Sequence, residues 1–261
     1  MPILQMIIRI PAYVKKTYCL DRGLFFAWCY TERGEFLETV DLVIQAALVF
    51  YADITVDVNG RYRSWEYCYY NFYKARTSNT VDVDFLSLHL AFYLASWGMY
   101  RGSSFLLQKD YKIHIPVVEE VLKTKYNILF GVNCENLFDK EVQSLLQELS
   151  QFLTRYYETI RSSVKGTEIK NEVSSTLVTK VLMGTMGCVP AYDRYFIAGI
   201  KSRKVATGNY NMKSVLQLAQ FYMDNSFRLE ETRKKLVIND ILYPQMKLLD
   251  MGFWQMGAEI E

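Results

Sequence analysis

Residues 179–196 read TKVLMGTMGCVPAYDRYF, an apolar helical pattern that is broken by Gly184 and Gly187. Glycine permits close backbone approach or a left-handed helix end. Proline suits the first turn of a helix, so Pro190 predicts that a second helix starts there. Asp193 then lies near the N-terminus of that helix, where the dipole and the free N–H groups favour a carboxylate. The stretch therefore predicts a helix, a tight break and a second helix that opens beside an acid.

Helical spacing of apolar residues recurs along most of the chain. Residues 36–52, FLETVDLVIQAALVFYA, place apolar side chains on one face at steps of three and four. Residues 61–76 are aromatic-rich, which also suits a strand, but Trp65, Tyr69 and Phe72 step at helical intervals and favour a helix. Further predicted helices run from Asp82 or Asp84 to Tyr100, over 115–130 with Pro116 in the first turn, from Asn136 or Asp139 to 162, and near 172–186, 190–201, 211–225 and 239–256.

These patterns predict an all-α fold, a multi-helix globular bundle in which two helical layers can share one core. Five prolines and thirteen glycines in 261 residues leave few breaks. The one β-like alternation, ITVDV at 54–58, is too short to anchor a sheet. The polar stretch VKGTEIKN at 164–171 predicts a linker. It separates an N-terminal helical part, 1–163, from a C-terminal part, 164–261, unless the two form one continuous domain.

The charge balance limits the electrostatic classes of partner. The net charge is +2, so the whole chain is not a strongly basic nucleic-acid binder. Residues 151–261 hold 15 Lys and Arg against 11 Asp and Glu. This mild excess permits a nucleic-acid face on the C-terminal part without requiring one.

The numbers and spacing of cysteine and histidine predict that the chain binds no metal or cofactor. They also indicate a reducing compartment. The five cysteines are odd in number and show no C-x-x-C spacing, and only two histidines are present. We therefore expect a cytoplasmic protein. The longest uncharged run, residues 85–100, falls short of a membrane span, and MPILQMIIRIPAYVKK lacks a signal-peptide cleavage site.

No complete catalytic signature is present. The chain lacks a phosphate loop ending in GK[ST], an H-E-x-x-H helix and a G-x-S-x-G elbow. Asp193 is the best candidate for a functional carboxylate. The alternative is an acid that only caps a helix, with the glycines serving packing.

The pattern around Lys180 and the sequence VPAYD before a new helix resemble the helix-hairpin-helix DNA glycosylase superfamily. The segment MKLLDMGFWQMG, 246–257, is similar to the closing helix of remote members, so the resemblance spans about 172–257. It implies that Asp193 stabilises positive charge on the sugar as a base departs. The family's hairpin, L-P-G-[apolar]-G-x-[KR]-x-A, is absent from the sequence, so the implied activity is monofunctional, without a lyase nucleophile.

Two further sets of residues are candidates for contacts with nucleic acid. Aromatic side chains and a histidine would stack on a base or line a pocket: Trp65, Trp97, Tyr100, His89 and Tyr192. Basic side chains, several of them in the loop KSRKVATGNYN at 201–211, would contact the backbone: Arg101, Lys180, Arg194, Lys201, Arg203 and Lys204. The alternatives are an aromatic core stripe and a solvated surface loop.

The sequence thus leaves three functional hypotheses. The first is a nucleic-acid-acting helical protein with DNA as its partner and a glycosylase-like activity at Asp193. The second is a non-catalytic helical interaction protein, for example a component of a DNA-defence system. The third is an enzyme that binds a small molecule in an aromatic pocket.

Overall fold

The computed structural model describes residues 38–78, 80–165 and 173–260. The α-helices in these ranges are α1 (Thr39–Val56), α2 (Ser64–Thr77), α3 (Val83–Ser96), α4 (Ile115–Val121), α5 (Lys140–Ser162), α6 (Ser175–Thr185), α7 (Arg194–Ser202), α8 (Met212–Asp224), α9 (Ser226–Arg233) and α10 (Gln245–Ile260). Short 3-10 helices cover Arg61–Arg63, Phe105–Gln108, Tyr111–His114, Thr124–Leu129 and Cys134–Phe138. Strands β1 (Val237–Ile238) and β2 (Ile241–Leu242) form one antiparallel hairpin. The predicted all-α fold is confirmed.

Polar side chains start several of the helices by accepting a hydrogen bond from a free backbone N–H. Asp82, rather than Asp84, caps α3 through the N–H of Phe85. Asp139, rather than Asn136, caps α5 through the N–H of Glu141. The first backbone N–H groups of a helix have no partner within the helix, and short polar side chains can accept from them. Such side chains therefore predicted these two helix starts to within a few residues.

The break between α6 and α7 follows the predicted glycines. Gly187 has a φ of +64° and donates its N–H to the carbonyls of Leu182 and Met183, which ends α6 in a left-handed turn. Gly184 packs against the ring of Tyr93, where an added Cβ would lie 2.5 Å from a ring carbon. The two glycines therefore serve different purposes, one in backbone conformation and the other in packing.

The predicted role of Pro190 is wrong. It lies in a buried, non-helical segment three residues before Asp193. Asp193 has extended backbone angles, φ −93° and ψ 176°, and its side chain accepts from the N–H of Phe196, so α7 begins at Arg194. The acid, rather than the proline, sets the start of this helix.

Other predicted bounds also shift. The helix expected over 239–256 is preceded by the hairpin, whose two-residue turn, Asn239 and Asp240, has φ values of 45° and 66°. Positive φ at both turn positions suits the twist of a two-residue hairpin and delays the helix to Gln245. The single helix expected over 115–130 is divided into α4 and a 3-10 helix, and α3 ends at Ser96 rather than at Tyr100. The β-like stretch ITVDV lies largely in the last turns of α1. Helix α9 was not predicted.

Helix α10 packs between α1 and α7 at very short range. A Cβ added to Gly252 would lie 2.6 Å from the carbonyl oxygen of Val43 on α1. Cβ atoms added to Gly199 on α7 and to Gly257 on α10 would overlap carbonyl oxygens of the facing helix. Because glycine has no side chain, the backbones of these helices touch at these positions. This contact fixes α7 and α10 relative to one another.

Residues Glu38–Glu261 group into one compact unit. Helices α5 and α6, on either side of the predicted linker, contact each other. Most of that linker lies outside the described residues, as do Cys19, Cys29 and the N-terminal segment MPILQMIIRIPAYVKK. The division at residue 164 and the two-layer arrangement stay predictions.

Helix α1 is long and apolar enough to cross a membrane by length and composition, with a mean hydropathy of 1.6. About 39% of it is buried in the fold, and core helices pass the same test. Its buried face, which includes Val43, Ala46 and Phe50, packs against α10. The cytoplasmic location stays a prediction.

Candidate functional site

The carboxylate of Asp193 is held at the N-terminus of α7 by two interactions. One oxygen accepts from the N–H of Phe196 at 3.2 Å, and the other lies 3.0 Å from Nζ of Lys180. The side chain is 13% exposed. The predicted acid therefore combines a helix cap with an ion pair, which the sequence did not indicate.

Lys180 reaches Asp193 from the centre of α6. Its side chain is 3% exposed, and its Nζ also donates to the backbone carbonyl of Trp97 at 3.1 Å. The ammonium lies 5.1 Å from the centre of the Trp97 ring, within range of a cation–π contact. Burial lowers the pKa of Lys180, and the nearby Asp193 carboxylate opposes that shift.

A second buried ion pair lies close to the first. Nζ of Lys247 is 2.7 Å from a carboxylate oxygen of Asp250, three residues later on α10, and both side chains are less than 5% exposed. The other Asp250 oxygen accepts from the N–H of Ala191 at 2.9 Å. The Lys247 ammonium lies 4.8 Å from the Trp65 ring and 5.2 Å from the Trp97 ring. Two ammonium groups thus face Trp97, and Asp250 ties α10 to the segment that leads to Asp193.

Five aromatic side chains from five elements meet beside these ion pairs: Phe50, Tyr62, Trp97, Tyr195 and Trp254. We call this group the aromatic cluster. Ring centres lie 4.9 Å apart for Tyr62 and Trp97, 5.5 Å for Tyr62 and Trp254, and 5.3 Å for Tyr195 and Trp254. Phe50 is buried, whereas the other four side chains are half-buried and reach the surface.

Exposed arginines border the aromatic cluster. The guanidinium of Arg61 lies 4.7 Å from the Tyr62 ring centre and donates to the Tyr62 hydroxyl at 2.7 Å. Arg194 lies 4.4 Å from the Tyr195 ring centre and donates to the Tyr195 hydroxyl. Arg101 lies beside Gly98, where an added Cβ would be 3.0 Å from the arginine Nε. The site therefore combines partly open aromatic rings, basic groups at the edge and two ion pairs beneath.

The structure brings four of the predicted residues to this site: Trp97, Lys180, Asp193 and Arg194. Arg101 adjoins it through Gly98. Lys180 was predicted to contact nucleic acid, but its ammonium is buried and paired, so we reassign it as the partner of Asp193. Burial of that ammonium excludes direct contact with a backbone phosphate in this conformation.

The other predicted aromatic residues make contacts elsewhere. Trp65 is 1% exposed and donates to the carbonyl of Met183 at 3.0 Å, so its contact with the site is through Lys247. Tyr192 is fully buried and donates to Ser214 at 2.9 Å. These two side chains belong to the core, as the alternative interpretation of the aromatic residues stated.

Tyr100 and His89 also lie apart from Asp193. The Tyr100 hydroxyl is 2.7 Å from Nε2 of His114, and Nδ1 of that buried imidazole is 2.7 Å from the Tyr157 hydroxyl. His89 is half-buried, with its Nε2 3.3 Å from the amide nitrogen of Asn71. Neither side chain has a contact with the aromatic cluster among the described residues.

The basic loop lies at the far end of α7. Lys201 falls in the last turn of that nine-residue helix, and Arg203 and Lys204 follow it. Nine residues rise by about 13 Å at about 1.5 Å each, so this loop does not border the Asp193 carboxylate. Its role as a contact for nucleic acid stays a prediction.

Sequence reasoning missed Tyr62, Tyr195, Trp254, Lys247 and Asp250. The last two had a readable signal, because they are the only charged residues in the apolar run from Pro244 to Ala258 and stand three apart on one helix face. Charges in a buried helix need partners, which marks such a pair for attention. The aromatic residues come from separate elements, so only the tertiary fold reveals their meeting.

A surface depression with a volume of about 340 Å³ lies between α5 and α8, away from the aromatic cluster. Its lining includes Leu146, Ser150, Tyr210 and Met212, and it has no carboxylate, lysine or histidine. The depression therefore offers the small-molecule enzyme hypothesis no carboxylate, lysine or histidine for acid–base chemistry.

Among the residues that the structure describes, no cluster of three or more His, Cys, Asp or Glu side chains could hold a metal ion. Comparison with protein-family models, curated proteins and solved structures found no match.

Proposed function

We propose that this chain is a nucleic-acid-acting helical protein in which the aromatic cluster receives an unpaired base and Asp193 supplies the functional carboxylate. One observation carries the proposal. A carboxylate at a helix N-terminus is joined by Lys180 to Trp97, a member of a half-open aromatic cluster bordered by arginines. Enzymes that act on bases commonly stack the extruded base on aromatic side chains, so the combination of residues fits that task.

The chemical role proposed for Asp193 is electrostatic. Loss of a base leaves positive charge on the sugar, and a nearby carboxylate stabilises such charge in a site with little water. The cap to Phe196 and the ion pair to Lys180 hold the carboxylate in one orientation. Preorganised charge of this kind needs no rearrangement as the transition state forms.

The second candidate is a non-catalytic interaction protein that shares the scaffold. Both Asp193 oxygens already have partners, and the net charge of the chain is only +2. These facts favour an acid that stabilises the fold. They leave the aromatic cluster as a binding surface without chemistry at the carboxylate.

A base-release assay tests the proposal. Single- and double-stranded DNA carrying deaminated, oxidised or alkylated bases is incubated with the wild-type protein, Asp193→Asn and the control Asp82→Asn. Asparagine caps a helix as well as aspartate, so both variants keep their caps. Only the first loses a carboxylate that pairs with a buried lysine, because Asp82 is exposed and only caps α3.

We expect wild type and Asp82→Asn to release a base from at least one substrate. Release by Asp193→Asn should fall by about 10²–10³, the usual loss when a preorganised electrostatic group is removed. No release by the wild-type protein from any substrate, or equal release by Asp193→Asn, would refute the catalytic role and leave the interaction protein.

A further inference from the structure

The site contains the same arginine–tyrosine arrangement twice. Arg61 and Arg194 each precede a tyrosine directly in sequence, lie over its ring and donate to its hydroxyl. Each arginine also starts a helical segment, since Arg61 opens the 3-10 helix that leads into α2 and Arg194 is the first residue of α7. Two separate elements thus present an ordered guanidinium at a helix start.

Both arginine–tyrosine pairs contact Trp254 through their tyrosine rings. The Tyr62 and Trp254 ring planes meet at 67° with centres 5.5 Å apart, and the Tyr195 and Trp254 planes meet at 76° with centres 5.3 Å apart. Trp254 contacts both tyrosines and is itself half-buried. Trp254 therefore contacts two tyrosines, and each of these tyrosines has an arginine over its ring.

The electrostatics of this arrangement favour a polyanion. Within the described part of the chain, no carboxylate lies within ion-pair distance of Arg61. The stacked guanidiniums are already ordered, so less conformational freedom is lost when they bind a phosphate. At Arg194, the positive end of the α7 dipole adds to this attraction.

The aromatic cluster also holds two hydrogen-bond donors without acceptors. The indole Nε1 atoms of Trp97 and Trp254 are buried and have no hydrogen-bond partner among the described residues. An unsatisfied buried donor is costly and needs an explanation in a native fold. The acceptor-rich edge of a nucleobase would satisfy such donors once the rings part to admit it.

We propose that the arginine–tyrosine pairs and Trp254 form a clamp for single-stranded nucleic acid, with a base stacked at Trp254 and neighbouring phosphates on Arg61 and Arg194. The proposal rests on the proposed function and specifies its substrate class. Stacking on a protein ring requires a base outside the duplex, so the clamp selects unpaired strands. Tyrosine, tryptophan and arginine also anchor protein partners, but two cationic groups held on neighbouring tyrosine rings favour an anionic strand with bases.

Binding of a labelled oligonucleotide tests the clamp. Fluorescence anisotropy would measure the Kd of a 12-nucleotide single strand and of its duplex over a series of salt concentrations. The variants are Arg61→Gln, Arg194→Gln and the double variant. The control is Arg155→Gln, an exposed arginine on α5 that is not part of the site. Circular dichroism checks that each variant is folded.

We expect the single strand to bind about tenfold more tightly than the duplex, in keeping with one stacked base. Each phosphate contact contributes about 0.7 to the slope of log K against log salt for single strands. The slope is negative and should therefore become less steep, by about 0.7 in each single variant and by about 1.4 in the double variant. Arg155→Gln should keep the wild-type slope.

Substituting lysine separates charge from stacking. Arg61→Lys and Arg194→Lys keep the charge, so they should keep the salt slope while the affinity falls, because an ammonium lacks the planar stacked fork. Equal affinity for strand and duplex, or an unchanged slope in both glutamine variants, would overturn the clamp.

The outcomes for the clamp and for the proposed function are separable. Base release that persists without arginine-dependent strand binding rejects the clamp alone. Arginine-dependent strand binding without base release rejects the catalytic role alone. Absence of oligonucleotide binding at low salt rejects the clamp and points to a protein partner for this surface.

Discussion

Lys180 Nζ lies 3.0 Å from Asp193 Oδ2, although the two residues belong to different helices and both side chains are nearly removed from water. Taking two charges out of water is costly, and their attraction offsets the cost only while both are present. The pair therefore makes the fold sensitive to the loss of either partner. It joins α6 to the N-terminus of α7, where the proposed functional carboxylate stands.

The first prediction concerns the stability of this pair. Asp193→Asn keeps the helix cap but leaves the Lys180 ammonium without its counter-charge, so the free energy of unfolding should fall by about 3–5 kcal/mol. The double variant Lys180→Met/Asp193→Asn removes both charges and should recover most of that loss. Urea unfolding of the two single variants and the double variant forms a double-mutant cycle.

Asp82→Asn is the control for this cycle, and its unfolding free energy should stay within about 0.5 kcal/mol of wild type because the capped helix start is exposed. Additive losses in the double variant would show that the two residues do not stabilise each other.

The second prediction concerns Asp250, which accepts from the N–H of Ala191 while pairing with Lys247. Asp250→Leu removes both interactions and leaves a buried ammonium, so it should destabilise by about 3–5 kcal/mol and expose the Ala191 amide to exchange. Asp250→Asn keeps an oxygen for that amide and should preserve its protection better. Hydrogen exchange read at Ala191 makes the comparison.

An Ala191 amide that stays equally protected in both variants would contradict the anchoring role of Asp250. Asp224→Asn, an exposed acid at the end of α8, serves as the matched control and should change neither readout.

The third prediction concerns the contact between α7 and α10. In an open helix, Gly→Ala stabilises by about 1 kcal/mol. At Gly199 and Gly257 the added methyl group would overlap a carbonyl oxygen of the facing helix, so each change should instead destabilise by about 1–3 kcal/mol or more. Thermal unfolding of Gly199→Ala and Gly257→Ala gives the sign directly. A rise in Tm for either variant would exclude close backbone contact at that position.

The fourth prediction concerns pH. Burial between Tyr100 and Tyr157 lowers the pKa of His114 from 6.5 to about 3, so the folded state keeps the imidazole neutral while the unfolded state binds a proton. Because the pKa is lower in the folded state, this group contributes its full stabilisation of the folded state above pH 6.5. It is lost as the pH falls toward about 3, by about 1.4 kcal/mol per unit.

Urea unfolding at intervals between pH 4 and pH 7, for wild type and His114→Gln, isolates this contribution. The variant should be less stable at pH 7, because it loses the imidazole's hydrogen bonds, and its stability should depend less steeply on pH. Identical pH slopes for the two proteins would contradict the assignment.

Local chemistry explains why most helices could be predicted from the sequence. Apolar periodicity located α1, α2, α5 and α8, and polar side chains such as Asp139 marked helix starts. The failures came where one local signal competed with another. Pro190 was predicted to start a helix, but the helix starts after Asp193, which caps it. Asn239 and Asp240 form a turn within a stretch that was predicted to be helical.

The site was only partly predictable, for a different reason. Asp193 stood out because helix starts favour carboxylates, and Trp97 because an aromatic side chain near Arg101 can stack on a base. Their relationship depends on Lys180 crossing from α6, and the aromatic cluster depends on five elements meeting. Contacts between distant elements leave no periodic trace in the sequence, so neither could be read from spacing.

The glycines of α10 and α7 have a consequence for how a ligand gains access. Backbone contact at Gly199, Gly252 and Gly257 makes α1, α7 and α10 a single rigid wall, which carries Tyr195 and Trp254. The part of the site formed by Tyr62 and the end of α3 has no glycine contact of this backbone-to-backbone kind among the described residues. It also contains Gly98, whose φ is +79°. We therefore expect any opening of the site to occur on the Tyr62 and Trp97 side.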